Sequence, residues 1–518
     1  MSIVYIIGAG PGDPGLITVR GLECLSSADV VLYDHLVHAR ILRYARPDAE
    51  KIDVGTAAPP TLEQDAICYL LVEKAREGKT VARLKWGDPF VFDRGGAEAL
   101  FLHEQGVQFE VVPGIPAAIA APSYAGVPVT YPGGGDTLTF VRGHEDEGKS
   151  RATIDWPALA RLDGTIVCYA GPDQLPRMLD ALMAHGRPVE DSAAVVYDGT
   201  LPTQQTITGS LDEIARALEK SQDRRAAILV VGRVANLRDH LRWFDARPLF
   251  GKRILVTRPR EQAAELVRRI EATGAEPIEA PMIRIAPPDD YGPLDDACAR
   301  VGDFDWIVFS SANAVETFLD RLLAGPQDLR ALHGVKLCAV GPTTGERLAA
   351  YGLKVDLTPS EYRAEAMLRA LLEHRPGGSD TVRGLRVLLP RADIGREVLA
   401  DELRKHGADV TEVVAYRTIV TEPEREGEPD IYRMLLEKHI DVVTFTSASA
   451  VRNFVRVLGA EPAADLLRTT VVASIGPVTA EAAMQSNIHT TVMPSQYTIP
   501  ALVDAIVAHF AQQKVETA

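Results

Sequence analysis

Two glycine-containing loops in the first half of the chain have the composition of ligand-binding turns. Gly8-Ala9-Gly10-Pro11-Gly12-Asp13 lies between a strand-like and a helix-like segment, and Gly87-Asp88-Pro89 follows another strand-like run. Glycine lets a backbone approach a ligand closely, and Asp88 can accept hydrogen bonds from a hydroxyl or ammonium group. The first loop does not match a dinucleotide fingerprint, because Asp13 replaces its last glycine and Pro11 lacks an N–H. Each loop could also be a plain turn.

Four short polar turns stand between strand-like and helix-like segments in the second half. They are Ser310-Ser311-Ala312-Asn313, Gly341-Pro342-Thr343-Thr344, Thr446-Ser447-Ala448-Ser449 and Gly476-Pro477-Val478-Thr479. Hydroxyls and backbone N–H groups at helix N-termini bind anions, so four such turns around one cleft would suit a ligand with many carboxylates. They could equally be ordinary helix caps.

The elements around these turns indicate an α/β architecture. Up to about Trp243, β-branched runs alternate with helical patterns, which predicts a largely parallel sheet followed by a second lobe. Thr61-Leu62-Glu63-Gln64 has the composition of a capping box and predicts a helix from there to about Glu77. Strands are expected at 3–9, 28–33, 79–84, 108–112, 165–169, 193–197 and 227–231.

The chain divides near residue 247, where Ala246-Arg247-Pro248 interrupts the pattern. Beyond this point the sequence repeats itself, since Asp305–Val315 recurs as Asp441–Val451. One duplication predicts two similar α/β lobes around a cleft, which is a common place for small ligands to bind. We therefore expect one domain over residues 1–246 and another over 247–518.

Composition narrows the classes of partner. The formal net charge of −16 argues against nucleic acid as a partner, and no apolar run approaches the roughly 20 residues that span a bilayer. No signal-peptide pattern precedes the first strand. The five cysteines form no Cys-x-x-Cys pair, so no metal site is expected and a reducing compartment is indicated. We expect a cytoplasmic protein without nucleic-acid or membrane partners.

The first half resembles the uroporphyrinogen-III C-methyltransferases over about residues 3–245. The likeness is carried, in order, by GAGPGDPGLIT, ADVVLYDHLV, RLKWGDPFVFDRGG, FEVVPGIPAA and YAGVPVT. It implies a two-lobed tetrapyrrole-methylase-like domain that binds S-adenosylmethionine and forms a homodimer. Cofactor contacts are implied for Pro11, Trp86, Gly87, Asp88, Val91, Pro116, Ala117, Ala170 and Gly199. In the implied reaction a pyrrole carbon attacks the sulfonium methyl group, so both reactants must be held in attack geometry.

The same resemblance places the family's proton acceptor on Asp34, although this residue could instead cap a helix over Leu36–Tyr44. Arg94, Arg142 and Lys85 are candidates to bind substrate carboxylates, or they are ordinary surface charges. Several positions depart from the family pattern. Thr56 stands where the family has a proton-donating lysine, and Thr130-Tyr131-Pro132 where it has Thr-His-Arg. Trp86 replaces a glycine, and Ala170 replaces a methionine near the cofactor. These departures predict slow methyl transfer.

The second half, about residues 251–512, resembles uroporphyrinogen-III synthase. The residues that carry the likeness are GKRILVTRP, FSSANAV, FTSASAV, both Gly-Pro-x-Thr turns and VAYRT. The implied fold is a pair of lobes with a crossed chain, 252–283 with 420–518 in one lobe and 287–415 in the other. Tyr416 would lie near the hinge, either donating a proton to a departing hydroxyl group or packing as an aromatic wedge. Arg258, Ser447 and Thr479 are candidates for binding substrate carboxylates.

The two resemblances fit together, because the product of the synthase is the substrate of the methyltransferase. They predict a bifunctional enzyme that cyclises hydroxymethylbilane to uroporphyrinogen III and methylates it to precorrin-2, on the way to sirohaem or cobalamin-type products. The alternative is a working synthase joined to a weak or silent methyltransferase-like binding module.

Overall fold

The computed structural model describes residues 2–55, 62–143, 154–221, 223–280, 283–359, 364–373, 382–393, 398–420 and 430–517. Within these residues the strands form four sheets, two before residue 232 and two after residue 252. Buried apolar residues pack on both faces of each sheet. Short 3₁₀ helices lie at Pro14–Leu16, Ile41–Tyr44, Arg233–Leu237, Val301–Asp303, Leu329–Leu332 and Leu467–Thr469.

The first sheet is parallel throughout and has the strand order β3-β2-β4-β1-β5. Its strands are β1 Val4–Gly8, β2 Val30–Tyr33, β3 Glu50–Asp53, β4 Val81–Lys85 and β5 Phe109–Val112. The helices that accompany it are α1 Val19–Ser27, α2 Gln64–Arg76, α3 Gly95–Glu104 and α4 Ala117–Tyr124. Successive strand residues face opposite sides, so Ile6 packs with Leu71 of α2 whereas Ile7 packs with Leu25 of α1.

The second sheet, unlike the first, is mostly antiparallel. Its strands are β6 Thr137–Arg142, β7 Gly164–Ala170, β8 Ser192–Tyr197, β9 Gln205–Ser210 and β10 Ala227–Val231, in the order β6-β7-β10-β8-β9. Only β6 and β7 run parallel. A short loop without a helix joins β8 to β9, and such a connection produces an antiparallel pair. Helices α5 Trp156–Arg161, α6 Gln174–Ala184, α7 Leu211–Glu219 and α8 Arg238–Leu241 complete this lobe.

Helix α2 begins differently from the sequence prediction. Its N-cap is Glu63, which makes no side-chain cap hydrogen bond. Thr61 lies outside the described residues. The Gln64 amide instead donates a hydrogen bond to Oε1 of Glu98 on α3, at 3.1 Å. This hydrogen bond joins α2 to α3.

The second half contains nine strands and eleven helices within its described residues. The strands are β11 Arg253–Val256, β12 Glu276–Glu279, β13 Ile283–Ala286, β14 Trp306–Phe309, β15 Lys336–Ala339, β16 Arg386–Ala392, β17 Asp409–Val420, β18 Val442–Phe445 and β19 Val471–Ser474. The helices are α9 Arg260–Ala272, α10 Gly292–Ala299, α11 Ala312–Ala324, α12 Pro342–Ala350, α13 Ala364–Glu373, α14 Val398–Lys405, α15 Ile431–Leu436, α16 Ala448–Leu458, α17 Ala460–Leu466, α18 Pro477–Met484 and α19 Ile499–Thr517.

These strands build two lobes with a crossed chain, as predicted. One sheet has the order β12-β11-β18-β19 and the other β13-β17-β16-β14-β15. The repeat is visible in matching contacts: Asp441 accepts a hydrogen bond from Arg253 N, and Asp305 accepts one from Arg386 N, each at 2.8 Å. Strand β13 pairs antiparallel with the end of β17, so two strands connect the lobes.

Candidate functional site

A cavity of about 1290 Å³ lies between the two lobes of the first half. The first lobe contributes residues such as Pro11, Asp34 and Trp86, and the second contributes residues such as Ala170 and Gly199. Most of these follow the carboxyl ends of strands in the parallel sheet or lie on loops of the facing sheet. In α/β proteins, ligands bind at this end of the sheet.

Three loops of the first lobe meet at the cavity through direct backbone contact. Gly87 N donates to Gly10 O at 2.9 Å, and Gly10 N donates to Gly87 O at 3.2 Å. A Cβ atom on Gly114 would lie 2.1 Å from Gly87 O and 2.7 Å from the Cα of Gly8. Asp88 fixes the same junction, because its Oδ2 accepts from Gly114 N at 3.0 Å. Glycine is therefore required where these loops touch.

The residues implied to contact the cofactor fall into two groups. Those that line the cavity are Pro11, Trp86, Val91, Ala117, Ala170 and Gly199. Gly87, Asp88 and Pro116 lie in the loops that frame it. The indole of Trp86 donates a hydrogen bond to Pro11 O at 2.9 Å, which joins two of the loops. Both carboxylate oxygens of Asp88 accept backbone hydrogen bonds, so this residue holds its loop in shape.

Charged side chains cluster beneath the cavity around two cations of β4. Arg83 and Lys85 stand two residues apart on this strand and thus face the same side, and they are only 1% and 2% exposed. Arg83 Nη2 lies 2.6 Å from Asp34 Oδ1 and 3.2 Å from Oε1 of the fully buried Glu98. Lys85 Nζ lies 3.0 Å from Asp93 Oδ1 and 3.1 Å from Glu98 Oε1.

The cluster shifts the pKa values of its members in different directions. Burial alone would raise the pKa of Glu98, but Arg83 and Lys85 outweigh it and hold that pKa below its usual value. Burial also opposes the charge of Arg83, yet the neighbouring Glu98 and Asp34 raise its pKa. Asp93 behaves differently: burial raises its pKa, and the opposing effect of Lys85 is not large enough to reverse this.

Asp34 follows β2 and lines the cavity. The helix predicted over residues 36–44 does not form, since the segment holds only the 3₁₀ helix at Ile41–Tyr44, so the helix-cap interpretation of Asp34 is wrong. Arg94 and Arg142 also line the cavity. Lys85 is buried in ion pairs with protein carboxylates. Thr56 lies outside the described residues.

Sequence reasoning missed the strained loop that faces the cavity from the second lobe. Asp198 and Thr200 have φ angles of 46° and 77°, an uncommon conformation for residues with side chains and an outlier for a β-branched one. The Thr200 hydroxyl accepts a hydrogen bond from Asp13 N at 3.0 Å, and Asp13 in turn accepts one from the hydroxyl of Tyr124 at 2.8 Å. This chain of contacts ties the two lobes together next to Gly199.

Sequence reasoning also missed Arg83 and Glu98. The available signal was a pair of cations at alternate positions of an otherwise apolar strand, Val81-Ala82-Arg83-Leu84-Lys85. Such residues are almost never fully buried unless they are paired.

Tyr416 contacts one of the polar turns of the second half. It lies on β17, is 8% exposed, and its hydroxyl is 3.1 Å from Ser311 Oγ. Ser311 also caps α11, because its hydroxyl accepts from Ala314 N at 3.1 Å. The tyrosine is thus packed in the core and hydrogen-bonded at its polar tip.

Arg258 lies two residues after the end of β11. Burial lowers the pKa of its guanidinium group. Its Nη2 is 3.4 Å from Gln262 Oε1, and the Gln262 amide donates to Asn313 Oδ1 at 2.9 Å. Gln262 belongs to one lobe and Asn313 to the other, so this contact bridges them. The structure brings Arg258 close to the FSSANAV turn.

Ser447 and Thr479 occupy the beginnings of two neighbouring helices. Ser447 is the N-cap of α16 and accepts a hydrogen bond from Ala450 N at 3.1 Å. Thr479 is a buried residue in the first turn of α18, which packs against α16. The helix-cap interpretation thus applies to Ser311 and Ser447, whose hydroxyls serve as caps.

The described residues have neither a membrane-spanning helix nor a cluster of potential metal ligands. No helix in that part of the chain is long and apolar enough to cross a membrane. The same residues include no group of three His, Cys, Asp or Glu side chains arranged to hold a metal ion.

Known proteins resemble both halves of the chain. The family model "Tetrapyrrole (Corrin/Porphyrin) Methylases" matches residues 3–215, and "Uroporphyrinogen-III synthase HemD" matches residues 264–504. A porphyrin biosynthesis protein HemD of Ruminiclostridium josui is 35% identical over 506 residues, which cover 98% of this chain and 97% of that protein. An S-adenosyl-L-methionine-dependent uroporphyrinogen III methyltransferase of Methanosarcina barkeri is 45% identical over 239 residues, 46% of this chain and 94% of that protein.

Among solved structures, a uroporphyrin-III C-methyl transferase of Thermus thermophilus complexed with S-adenyl homocysteine is 36% identical. The matched region covers 46% of this chain and 100% of the Thermus thermophilus chain, with a TM-score of 0.40. The relative from Ruminiclostridium josui matches both halves in one continuous alignment, in the order seen here. The chain therefore belongs to the tetrapyrrole methylase family through its first half and to the uroporphyrinogen-III synthase family through its second.

Proposed function

We propose that the chain is a bifunctional tetrapyrrole enzyme that closes hydroxymethylbilane to uroporphyrinogen III and then methylates this product to precorrin-2. The observation that carries the proposal is the presence, in one chain, of both families, with an intact interlobe cavity in the methylase half. The activities are consecutive, since the first product is the second substrate.

The methylase cavity fits S-adenosylmethionine. Small apolar side chains such as Val91, Ala117 and Ala170 leave space for a flat heterocycle, and Gly199 leaves the backbone accessible. Pro11, Trp86, Gly87, Asp88 and Pro116 shape the loops around that space. When bound, S-adenosylmethionine supplies an electrophilic methyl group. The protein's own contribution is to hold the reacting pyrrole carbon in line with that methyl group, a proximity effect that can supply most of the rate acceleration.

Asp34 is the proposed proton acceptor of this reaction. Its carboxylate borders the cavity and is oriented by Arg83 at 2.6 Å. A positioned base of this kind adds about 10²–10⁴-fold to a rate. Arg94 lines the same cavity and is the proposed partner of substrate carboxylates.

The synthase half requires less acid–base chemistry. Loss of a hydroxyl group from a pyrrolylmethyl carbon is intrinsically easy, so folding the linear substrate is the main task. Tyr416 is the proposed proton donor to the departing hydroxyl, supported by its position on the strand between the lobes and by its bond to Ser311. Arg258, Ser447 and Thr479 are proposed to bind acetate or propionate groups.

The alternative is a working synthase attached to a silent methyltransferase-like binding module. It is motivated by Thr56 and Pro132, where the family has a lysine and an arginine. We expect measurable but slow methyl transfer, because the loops around Gly87 and Gly114 and the residue Asp34 are present.

One experiment tests both activities. Purified protein is incubated anaerobically with hydroxymethylbilane, with and without S-adenosylmethionine, and the products are identified by chromatography and mass spectrometry. We expect the type III isomer without the cofactor and its methylated product with it. A product that is all type I isomer would contradict the synthase assignment. Cofactor binding without any methylated product would establish the silent-module alternative.

We also propose that residues 1–246 and 247–518 are separate domains and that the protein is a cytoplasmic homodimer through its first half. The free, buried cysteines suit a reducing compartment. Tyr69 and Leu100, on α2 and α3, are 63% and 59% exposed and offer apolar surface for a dimer contact. Light scattering of the purified protein measures the oligomeric state.

A further inference from the structure

The methylase cavity contains a second carboxylate beside Asp34. Asp93 immediately precedes the start of α3 and lines the same cavity. Its Oδ1 accepts hydrogen bonds from Lys85 Nζ at 3.0 Å and from Arg94 N at 2.5 Å. The Asp93 side chain is 22% exposed, close to the 24% of Asp34, so both carboxylates are mostly buried but open to the cavity.

Lys85 connects the two aspartates. Its Nζ lies 3.7 Å from Asp34 Oδ2, in addition to its contacts with Asp93 and Glu98. The charged groups around Asp93 are Arg83 and Lys85 from β4, Asp34 from the end of β2, Glu98 from α3 and the adjacent Arg94. The buried part of this cluster, without Arg94, has two cations and three carboxylates. Its net charge of minus one gives it the capacity to take up a proton.

The chemistry of methyl transfer creates a proton to take up. Each transfer forms a carbon–carbon bond to the pyrrole ring and breaks the sulfur–methyl bond, whose electron pair stays on sulfur. The ring system gains one positive charge and becomes neutral again when one proton leaves. That proton requires an acceptor on the cavity wall.

We propose that Asp93 is a second proton-accepting residue of the methyl-transfer reaction and that it acts beside Asp34 through their shared contact with Lys85. This inference rests on the methyltransferase activity proposed above. Burial raises the pKa of Asp93 despite the opposing charge of Lys85, which makes its carboxylate a stronger base than an ordinary aspartate. Proton transfer is most efficient when the pKa of the base approaches the working pH.

The test compares Asp93→Asn with the wild-type chain, using saturating uroporphyrinogen III and S-adenosylmethionine. We expect cofactor affinity to remain unchanged in calorimetry and kcat to fall by a factor on the order of 10². The pH profile should also change. Because only the deprotonated carboxylate accepts a proton, the wild-type rate should fall as the pH decreases through the raised pKa of Asp93, and this fall should be absent in Asp93→Asn. Asp93→Glu keeps a carboxylate and should recover most of the rate.

Asp163→Asn is the matched control. Asp163 is in the same half, is 74% exposed and pairs with Arg233 on the surface, so the same chemical change there should leave kcat and the pH profile unaltered. An unchanged kcat and pH profile in Asp93→Asn would overturn the inference, and so would a loss of rate explained by lost cofactor binding. If Asp93→Asn does not fold, Asp93→Ala is assayed with and without added formate, which can replace the missing carboxylate. If formate does not restore the rate, the proposed role of Asp93 is refuted.

The outcome for the wild-type chain separates this inference from the proposed function. If the wild type forms no methylated product, the methyltransferase assignment itself fails. If it does form product and Asp93→Asn is equally active, the assignment stands and only the role of Asp93 is refuted.

Discussion

At the scale of single residues, buried ionic side chains position the carboxylates of the methylase cavity. Arg83, Lys85 and Glu98 are nearly inaccessible to solvent, and each is paired with an opposite charge. Removing one partner from such a buried group leaves an uncompensated charge, which costs about 3–5 kcal/mol. The arrangement is therefore rigid, and it presents Asp34 and Asp93 to the cavity in fixed orientations.

In the second half, one hydroxyl group can be tested separately from the packing of its ring. Tyr416→Phe removes only the group that contacts Ser311. We expect type III isomer formation to slow by roughly 10²-fold, as for loss of a positioned acid, while stability falls by about 1 kcal/mol for the lost hydrogen bond. Stopped-flow cyclisation assays and thermal unfolding measure the two effects.

Ser311→Ala is the control for the Tyr416 experiment. It removes the same hydrogen bond from the opposite side, together with the cap of α11, and it retains the tyrosine hydroxyl. We expect it to lose stability with little change in the cyclisation rate. Normal turnover in Tyr416→Phe would show that the ring serves only to pack the hinge.

At the scale of elements, the cofactor site depends on loops that touch through their backbones. The carboxyl ends of β1 and β4 are adjacent in the first sheet, so the loops after these strands must pass each other. They do so because Gly8 and Gly114 lack side chains, and because Gly87 adopts a φ of 70°, which favours glycine. Asp88 then secures the contact with a hydrogen bond to Gly114 N.

Gly114→Ala should disrupt this contact. The new Cβ would meet backbone atoms of Gly87 and Gly8, which cannot move as a flexible side chain can. Overpacking of this kind costs about 1–3 kcal/mol, which corresponds to a loss of S-adenosylmethionine affinity of roughly 5- to 150-fold if it acts on the bound state. Isothermal titration calorimetry measures the affinity.

Gly96→Ala is the matched control for the Gly114→Ala experiment. No heavy atom lies within 4 Å of the Cβ position at Gly96, and the residue is in helix α3, where alanine is favoured over glycine. We expect unchanged affinity and slightly higher stability. Equal affinity in both variants would refute the importance of the Gly8–Gly87–Gly114 contact.

At the scale of the whole molecule, the described residues of the two halves touch at their junction and also around Arg40 and Arg43. Phe244 and Phe250 stack edge to face with ring centres 5.3 Å apart, and the Arg247 guanidinium lies 4.8 Å from the centre of the Trp243 ring. Ion pairs of Arg40 with Glu271 and of Arg43 with Glu279 join the segment after Asp34 to the synthase half. Partly exposed pairs of this kind stabilise by at most about 1 kcal/mol each.

Dividing the chain between Phe244 and Gly251 should therefore yield two folded pieces. No strand among the described residues pairs across this point, so each piece keeps both of its sheets complete. We expect cofactor binding in the first piece and cyclisation in the second, each with a somewhat lower unfolding temperature than in the intact chain. Circular dichroism and the two activity assays test this. Two insoluble fragments would show that the halves share a core and that the boundary is wrong.

The sequence by itself determined the α/β class, the crossed pair of lobes and the families of both halves. These features rest on local signals: β-branched runs, the order of long motifs, and the recurrence of Asp305–Val315 as Asp441–Val451. Each signal is contained in a continuous stretch of chain. The strands were accordingly placed to within a few residues, as at Ala227–Val231.

Only the tertiary structure decided how polar residues are partnered. Gln64 was expected to cap its own helix, but it bonds Glu98 across to α3. Asp34 was left between helix cap and base, and the first interpretation fails because the predicted helix after it does not form. Its carboxylate pairs instead with Arg83, 49 residues away along the chain. A hydrogen bond or ion pair satisfies a polar group equally well from a near or a distant partner, so local sequence patterns do not distinguish between them.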